Sequence, residues 1–95
     1  MIVRVSELAK ISEKLIEHLR DVTGETIDIS VDYYWHIPKA EKYDQYEQPS
    51  QLNIGQISDD WNELQKLLYD DTKPLSHYLI WLAAVERAIG EQIIP

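Results

Sequence analysis

The segment PLSHYLIWLAAVERAIG, residues 74–90, is the stretch around which the rest of the chain must pack. Its apolar residues recur at steps of three and four, which predicts a helix. Pro74 suits the start of this helix, and Gly90 is typical of its end. The side expected to face the core consists of Leu75, Tyr78, Leu79, Leu82, Val85 and Ile89.

Further apolar residues lie outside that side, and residues 78–85 include no charged side chain. A helix that is apolar on most sides is central in a core or covered by a partner. It is too short to span a bilayer, which needs about 20 apolar residues. We therefore expect self-association, as a homodimer, with candidate contacts at Ile80, Trp81 and Ala84.

The first part of the chain predicts an amphipathic helix that ends at Gly24. Lysine, arginine and glutamate residues occupy its other side, so one apolar stripe faces the core or a partner. The stripe is formed by Leu8, Ile11, Leu15, Leu19 and Val22.

Residues 26–37 change to a period of two, which predicts a strand with one buried side and one solvated side. The buried side would carry Ile27, Ile29, Val31, Tyr33, Trp35 and Ile37. Pro38 ends this strand, and residues 52–56 predict a second, shorter one. Because no helical pattern separates the two strands, antiparallel pairing is expected.

Ser58, Asp59 and Asp60 predict the start of another helix, with Asp60 and Glu63 at the spacing of a capping box. The predicted order is α-β-β-α-α. This order favours an α+β fold, with three helices packed on a small antiparallel sheet of two or three strands. With 95 residues and no linker or repeat, the chain is expected to form a single domain, residues 1–95.

The charge is strongly acidic, with a net value of −8. Residues 1–20 hold four basic and three acidic residues, a balance of +1, which leaves −9 for residues 21–95. Such a surface disfavours nucleic acid and anionic membranes and permits a basic protein partner. The N-terminal sequence has no apolar signal core and the chain has no cysteine, so a cytoplasmic location is expected.

The candidate binding residues lie on the polar side of the first strand and in the following loop. Asp32, Tyr34 and His36 alternate, and the loop of residues 39–50 contributes Tyr43 and Tyr46. This row is either a solvated sheet surface or a metal or acid–base site under a loop acting as a lid. The sequence contains no metal-ligand, phosphate-loop or nucleophile motif, so no metal, cofactor or catalytic residue is predicted.

Two functions of different classes are compatible with these observations. The favoured one is a small acidic, non-enzymatic interaction module, which binds or inhibits another protein. Its six tyrosines and three tryptophans, with no phenylalanine, are typical of surfaces that are buried at one end and wet at the other. The alternative is a small enzyme or a ligand- or metal-binding protein that uses the Asp32, Tyr34 and His36 row.

Overall fold

The computed structural model describes residues 1–36 and 53–93, with side chains described for residues 1–34 and 55–93. The order of the elements and the mixture of helices with an antiparallel pair confirm the predicted α+β fold. In chain order the elements are α1 (Val5–Thr23), β1 (Tyr33–His36), β2 (Asn53–Gln56), α2 (Ile57–Lys66) and α3 (Leu75–Gln92).

The sheet of the described residues is a two-stranded antiparallel ribbon, with Tyr34 opposite Gly55. The predicted strand at residues 26–37 is too long at its start, because strand pairing begins only at Tyr33. Residues 26–32 are not paired with another strand. The predicted end of this strand at Ile37 and Pro38 lies outside the described residues.

Among the described side chains, the predicted buried side of the first strand is correct only in its first part, and the predicted positions Trp35 and Ile37 lie outside them. Ile27 and Ile29 are half-buried, but Val31 and Tyr33 are 63% and 64% exposed. The half-buried positions change to Asp32 and Tyr34. This change has a local cause, because both of these polar side chains turn towards α2 and form hydrogen bonds there.

The second helix begins one residue earlier than its acidic start signal predicts, at Ile57, directly after β2. Asp60 therefore lies in the first turn of α2, and not at the N-cap position that the predicted capping box with Glu63 requires. The N-cap residue, Gln56, makes no capping hydrogen bond with its own side chain. The capping hydrogen bond is instead made by Asp32, which directly precedes β1.

The described core lies between α2 and α3, which pack on each other. Its buried apolar side chains are Ile57, Tyr78 and Val85. The Lys73 backbone N–H donates to the Tyr78 hydroxyl at 3.1 Å, which fixes the turn before α3. Trp81 packs edge-on against Tyr78, with ring centroids 5.7 Å apart.

The third helix differs from its prediction at its end and on its buried side. It continues past Gly90 to Gln92. Leu75, Leu79 and Leu82 were expected in the core but are 72%, 56% and 42% exposed. The reason is that α2 covers only the side of α3 that carries Tyr78 and Val85.

The first helix ends as predicted at Gly24, whose φ of 85° and ψ of −165° lie in a region that essentially only glycine adopts. The Gly24 N–H donates to the Arg20 carbonyl at 2.8 Å and closes the last turn. No residue of α1 is buried. The helix is therefore well formed but contributes no buried side chain to the core.

Candidate functional site

The first of the predicted site residues, Asp32, holds the start of α2. Its Oδ1 accepts the Ser58 backbone N–H at 2.7 Å, and its Oδ2 accepts the Ser58 hydroxyl at 3.0 Å and the Gln56 amide at 2.9 Å. Its backbone carbonyl also accepts the Ile57 N–H at 2.6 Å. Asp32 thus caps a helix that begins 25 residues further along the chain.

The same contacts explain the acidity of this carboxyl group. Hydrogen bonds from the Gln56 side chain and the Ser58 N–H favour the ionised form, so they lower the pKa of Asp32 from its usual 3.8. A negative charge at the N-terminus of α2 is also favoured by the helix macrodipole. The carboxylate therefore has a structural role in this arrangement.

Tyr34 also contacts α2 through its polar end. Its hydroxyl donates to Oδ2 of Asp60 at 2.5 Å, and Asp60 is 6% exposed. Burial raises the pKa of Tyr34 strongly, and the hydrogen bond to Asp60 and the charge of its carboxylate add to the rise. A phenol that is this hard to ionise is a donor and a packing group at neutral pH.

The rest of the predicted polar row is not brought into this cluster by the described residues. Asp32 and Tyr34 lie on the same side of the ribbon, as predicted, and both face α2. The side chain of His36 lies outside the described side chains, and Tyr43, Tyr46 and the loop of residues 39–50 lie outside the described residues. In the described part of the chain, no group of three His, Cys, Asp or Glu residues is placed to hold a metal ion.

A second candidate site is the apolar side of α1, which we call the α1 face. Five of its large side chains are between 48% and 62% exposed. Leu19, which belongs to the same stripe, is half-buried. The exposed members of the α1 face are Leu8, Ile11, Leu15, Ile16 and Val22.

A third candidate site, which we call the α3 face, consists of Leu75, Leu79 and Leu82. These residues are spaced by four and three, so they form one continuous apolar row along α3. Of the predicted self-association residues, Ile80 is 48% exposed, whereas Trp81 and Ala84 are half-buried. Because each residue turns a helix by about 100°, the larger open row lies on the opposite side of α3 from the predicted one.

The side chain of Gln92 connects the segment after α1 to the end of α3. Its Oε1 accepts the Ser30 backbone N–H at 2.9 Å, and its Nε2 donates to the Asp28 carbonyl. These two backbone groups lie on the same edge of an extended chain, so one amide side chain pairs with both, as a neighbouring strand would. This contact attaches the segment that follows α1 to the C-terminal end of α3.

The comparisons with known proteins give no relative from which a function could be taken. No protein-family model matches the chain, and neither the curated proteins nor the solved structures include a significant match. In the described residues, no helix has both the length and the apolar character needed to cross a bilayer.

Sequence reasoning did not identify Gln56, Ser58, Asp60 and Gln92 as partners of the first strand segment. The contacts of Asp32 and Tyr34 span 24 to 26 residues, and those of Gln92 span 62 to 64. Periodicity describes neighbours along one element and carries no signal for such distant pairs. The α3 face was visible as apolar residues, but the sequence did not show that α2 leaves it open.

Proposed function

We propose that this protein is a small acidic, non-enzymatic interaction module, which binds a protein partner through its open apolar helix faces. The observation that carries the proposal is α1, a helix of 19 residues with an apolar face and no buried residue. Helices in proteins owe most of their stability to the packing of such a face. Open apolar patches that polar residues border are typical of interaction surfaces.

The polar cluster supports the same proposal. In an enzyme or metal site, the acidic and phenolic groups of the row would be directed at a substrate or an ion. Here the Asp32 carboxylate and the Tyr34 hydroxyl are engaged with Gln56, Ser58 and Asp60. Their chemistry is accounted for by the joining of β1 to α2.

The charge favours a protein over other macromolecules. A chain with a net charge of −8 is repelled by phosphate backbones and by anionic lipid surfaces. An aliphatic helix face with charged residues at its borders instead fits the apolar groove or helix face of another protein.

Photocrosslinking in the native cell tests the proposal. Benzoylphenylalanine is placed at Leu15, on the α1 face, and in a matched variant at Glu17, on the opposite side of the same helix. We expect a covalent adduct with a protein from position 15 and none from position 17. Adducts at both positions or at neither would contradict a binding role for the α1 face.

A vesicle experiment separates this proposal from membrane binding. The purified protein is centrifuged with vesicles of phosphatidylcholine and phosphatidylglycerol. We expect it to stay in the supernatant because of its charge. Recovery with the vesicles, abolished by Leu15→Asp, would assign the α1 face to a lipid surface and overturn the proposal.

A further inference from the structure

In the described part of the chain, the α1 face and the α3 face are both exposed, and each could cover the other. The α1 face and the α3 face are both aliphatic and both follow steps of three and four residues. We infer that the α1 face of one copy packs on the α3 face of a second copy, and that the exchange is reciprocal. This inference rests on the proposed function and names the partner as the same chain.

The lengths of the two helices suit this exchange. With a rise of 1.5 Å per residue, α1 and α3 are both about 27 to 29 Å long. Rows at steps of three and four on two helices form the ridges that interdigitate in helix pairs. Two copies related by a two-fold axis would form this contact twice, so neither face would stay open.

The width of the α1 face favours packing on α3 over pairing with α1 of the second copy. Ile11 and Ile16 lie about 140° apart around the helix axis, because each residue turns the helix by about 100°. A two-stranded coiled coil needs only a narrow seam, whereas a wide apolar face is typical of a helix packed on a globular body. Ser12 also lies near the middle of the face, where a coiled-coil seam requires an apolar residue.

Charge favours the same arrangement. Residues 1–20, which include most of α1, have a balance of +1, and residues 21–95 have a balance of −9. The helix α1 itself, Val5–Thr23, holds three basic and four acidic residues, so its contact with residues 21–95 of the other copy brings less negative charge together than contact between two such acidic parts. Contact between the two bodies would instead bring like charges together, at separations within the roughly 8 Å over which physiological salt leaves them unscreened.

The connection between α1 and the body favours a second copy as the partner. In the structure no residue of α1 is buried, and α1 does not form an extensive contact with its own α3. The segment that follows it is held at residues 28 and 30 by Gln92. Residues 24–27 therefore lie between the end of α1 and this attachment point, and the α1 face stays open to another molecule.

The inference is tested with one variant on each face and a matched charge control on each helix. Leu15→Asp changes the α1 face and Leu79→Asp changes the α3 face. Ser6→Asp and Ser76→Asp add the same charge to exposed positions of α1 and α3 outside the two faces. The full chain is measured by light scattering over a range of micromolar concentrations.

We expect the wild type and both serine variants to have twice the chain mass of 11.1 kDa. Each leucine variant should be monomeric, with its dissociation constant raised at least about 100-fold, because every dimer would carry the buried charge twice. A mixture of the two leucine variants should recover dimers, although more weakly than the wild type, because one of the two contacts is then free of charge and the other contains both substitutions. The intact α1 face of the Leu79→Asp chain then packs on the intact α3 face of the Leu15→Asp chain, which a merely misfolded variant could not do.

Other outcomes would overturn the inference, and they differ from a failure of the proposed function. A dimer that survives Leu79→Asp would indicate α1 pairing with α1, and one that survives Leu15→Asp would indicate α3 pairing with α3. A mixture that stays monomeric would exclude reciprocal exchange. A wild-type mass that remains at 11.1 kDa would exclude a second copy, whereas a crosslink from Leu15 to a different protein would still support an interaction module.

Discussion

The ring of Tyr34 lies flat against Gly55, its partner on the opposite strand, and leaves no room for a Cβ at that position. From this position the Tyr34 hydroxyl reaches Asp60 in the first turn of α2. Glycine at position 55 thus determines where the ring lies, and the ring determines how the ribbon is joined to the helix.

Gly55→Ala should therefore destabilise the protein. The new methyl group would collide with the Tyr34 ring, which has to move and lose its hydrogen bond to Asp60. Changes of this overpacking type cost about 1 to 3 kcal/mol in the free energy of unfolding. Urea unfolding measures the loss. Gly90→Ala is the control, because its Cβ would meet open space on α3 and alanine is the better helix former by about 1 kcal/mol. Equal effects of the two changes would contradict the close contact.

The Tyr34 hydroxyl should make stability depend on pH in the alkaline range. Its pKa in the folded protein lies above the unfolded value of 10.0, because of burial and the contact with Asp60. The resulting stabilisation is fully present below pH 10 and is lost as the pH rises above it. Tyr34→Phe should lower the free energy of unfolding by about 1.5 to 3 kcal/mol at pH 7, as expected for a hydrogen bond to a charged group. Unfolding curves from pH 8 to 11 should fall less steeply for this variant than for the wild type.

Asp32 should affect stability in the acidic range. Its pKa in the folded protein is lowered, chiefly by the Gln56 amide and the Ser58 N–H. The stabilisation is therefore present above the unfolded value of 3.8 and is lost as the pH falls below it. Asp32→Asn should reduce stability at pH 7 and flatten its decline in acid, measured by thermal unfolding from pH 2 to 7. Asp28→Asn, the same substitution at an exposed carboxylate of the same segment, is the control and should reduce stability at pH 7 less than Asp32→Asn does.

Gln92→Ala should release the segment that follows α1 without unfolding the helix pair. The Ser30 amide would lose its acceptor and the Asp28 carbonyl its donor. Hydrogen exchange should show faster exchange at Ser30, with a global loss of about 0.5 to 1.5 kcal/mol. Gln65→Ala, at an exposed position of α2, should change neither. Unchanged exchange at Ser30 in Gln92→Ala would mean that the hydrogen bond from Ser30 to Gln92 is not formed in solution.

The sequence predicted which segments form helices and strands more successfully than it predicted which side chains are buried. Periodicity located the helices that begin at Val5, Ile57 and Leu75, together with the antiparallel ribbon. It placed Val31 in the core, although that side chain is 63% exposed, because alternation counts apolar residues and ignores hydrogen bonds. Asp32 and Tyr34 face α2 because α2 offers them polar partners.

The same limit explains the candidate sites. An amphipathic pattern shows that Leu15 belongs to an apolar face, but it does not show what covers that face. The exposure of Leu79 likewise depends on where α2 crosses α3, and no local sequence signal encodes this crossing. The alternation of Asp32 and Tyr34 can be seen in the sequence. Their partners Ser58 and Asp60 are each 26 residues further along the chain, where local patterns give no information about contacts.

The hydrogen bonds between Gln92 and residues 28 and 30 also determine how a pulling force on α1 would pass through the molecule. A pull on α1 travels along the chain through Gly24 and reaches residues 28 and 30 before it reaches β1. There the Gln92 amide would pass part of this force to the last turn of α3. The β1–β2 ribbon, which follows residue 30 in the chain, would receive less of it. A force on α1 would therefore act on the end of α3 before it acts on the register between Tyr34 and Gly55.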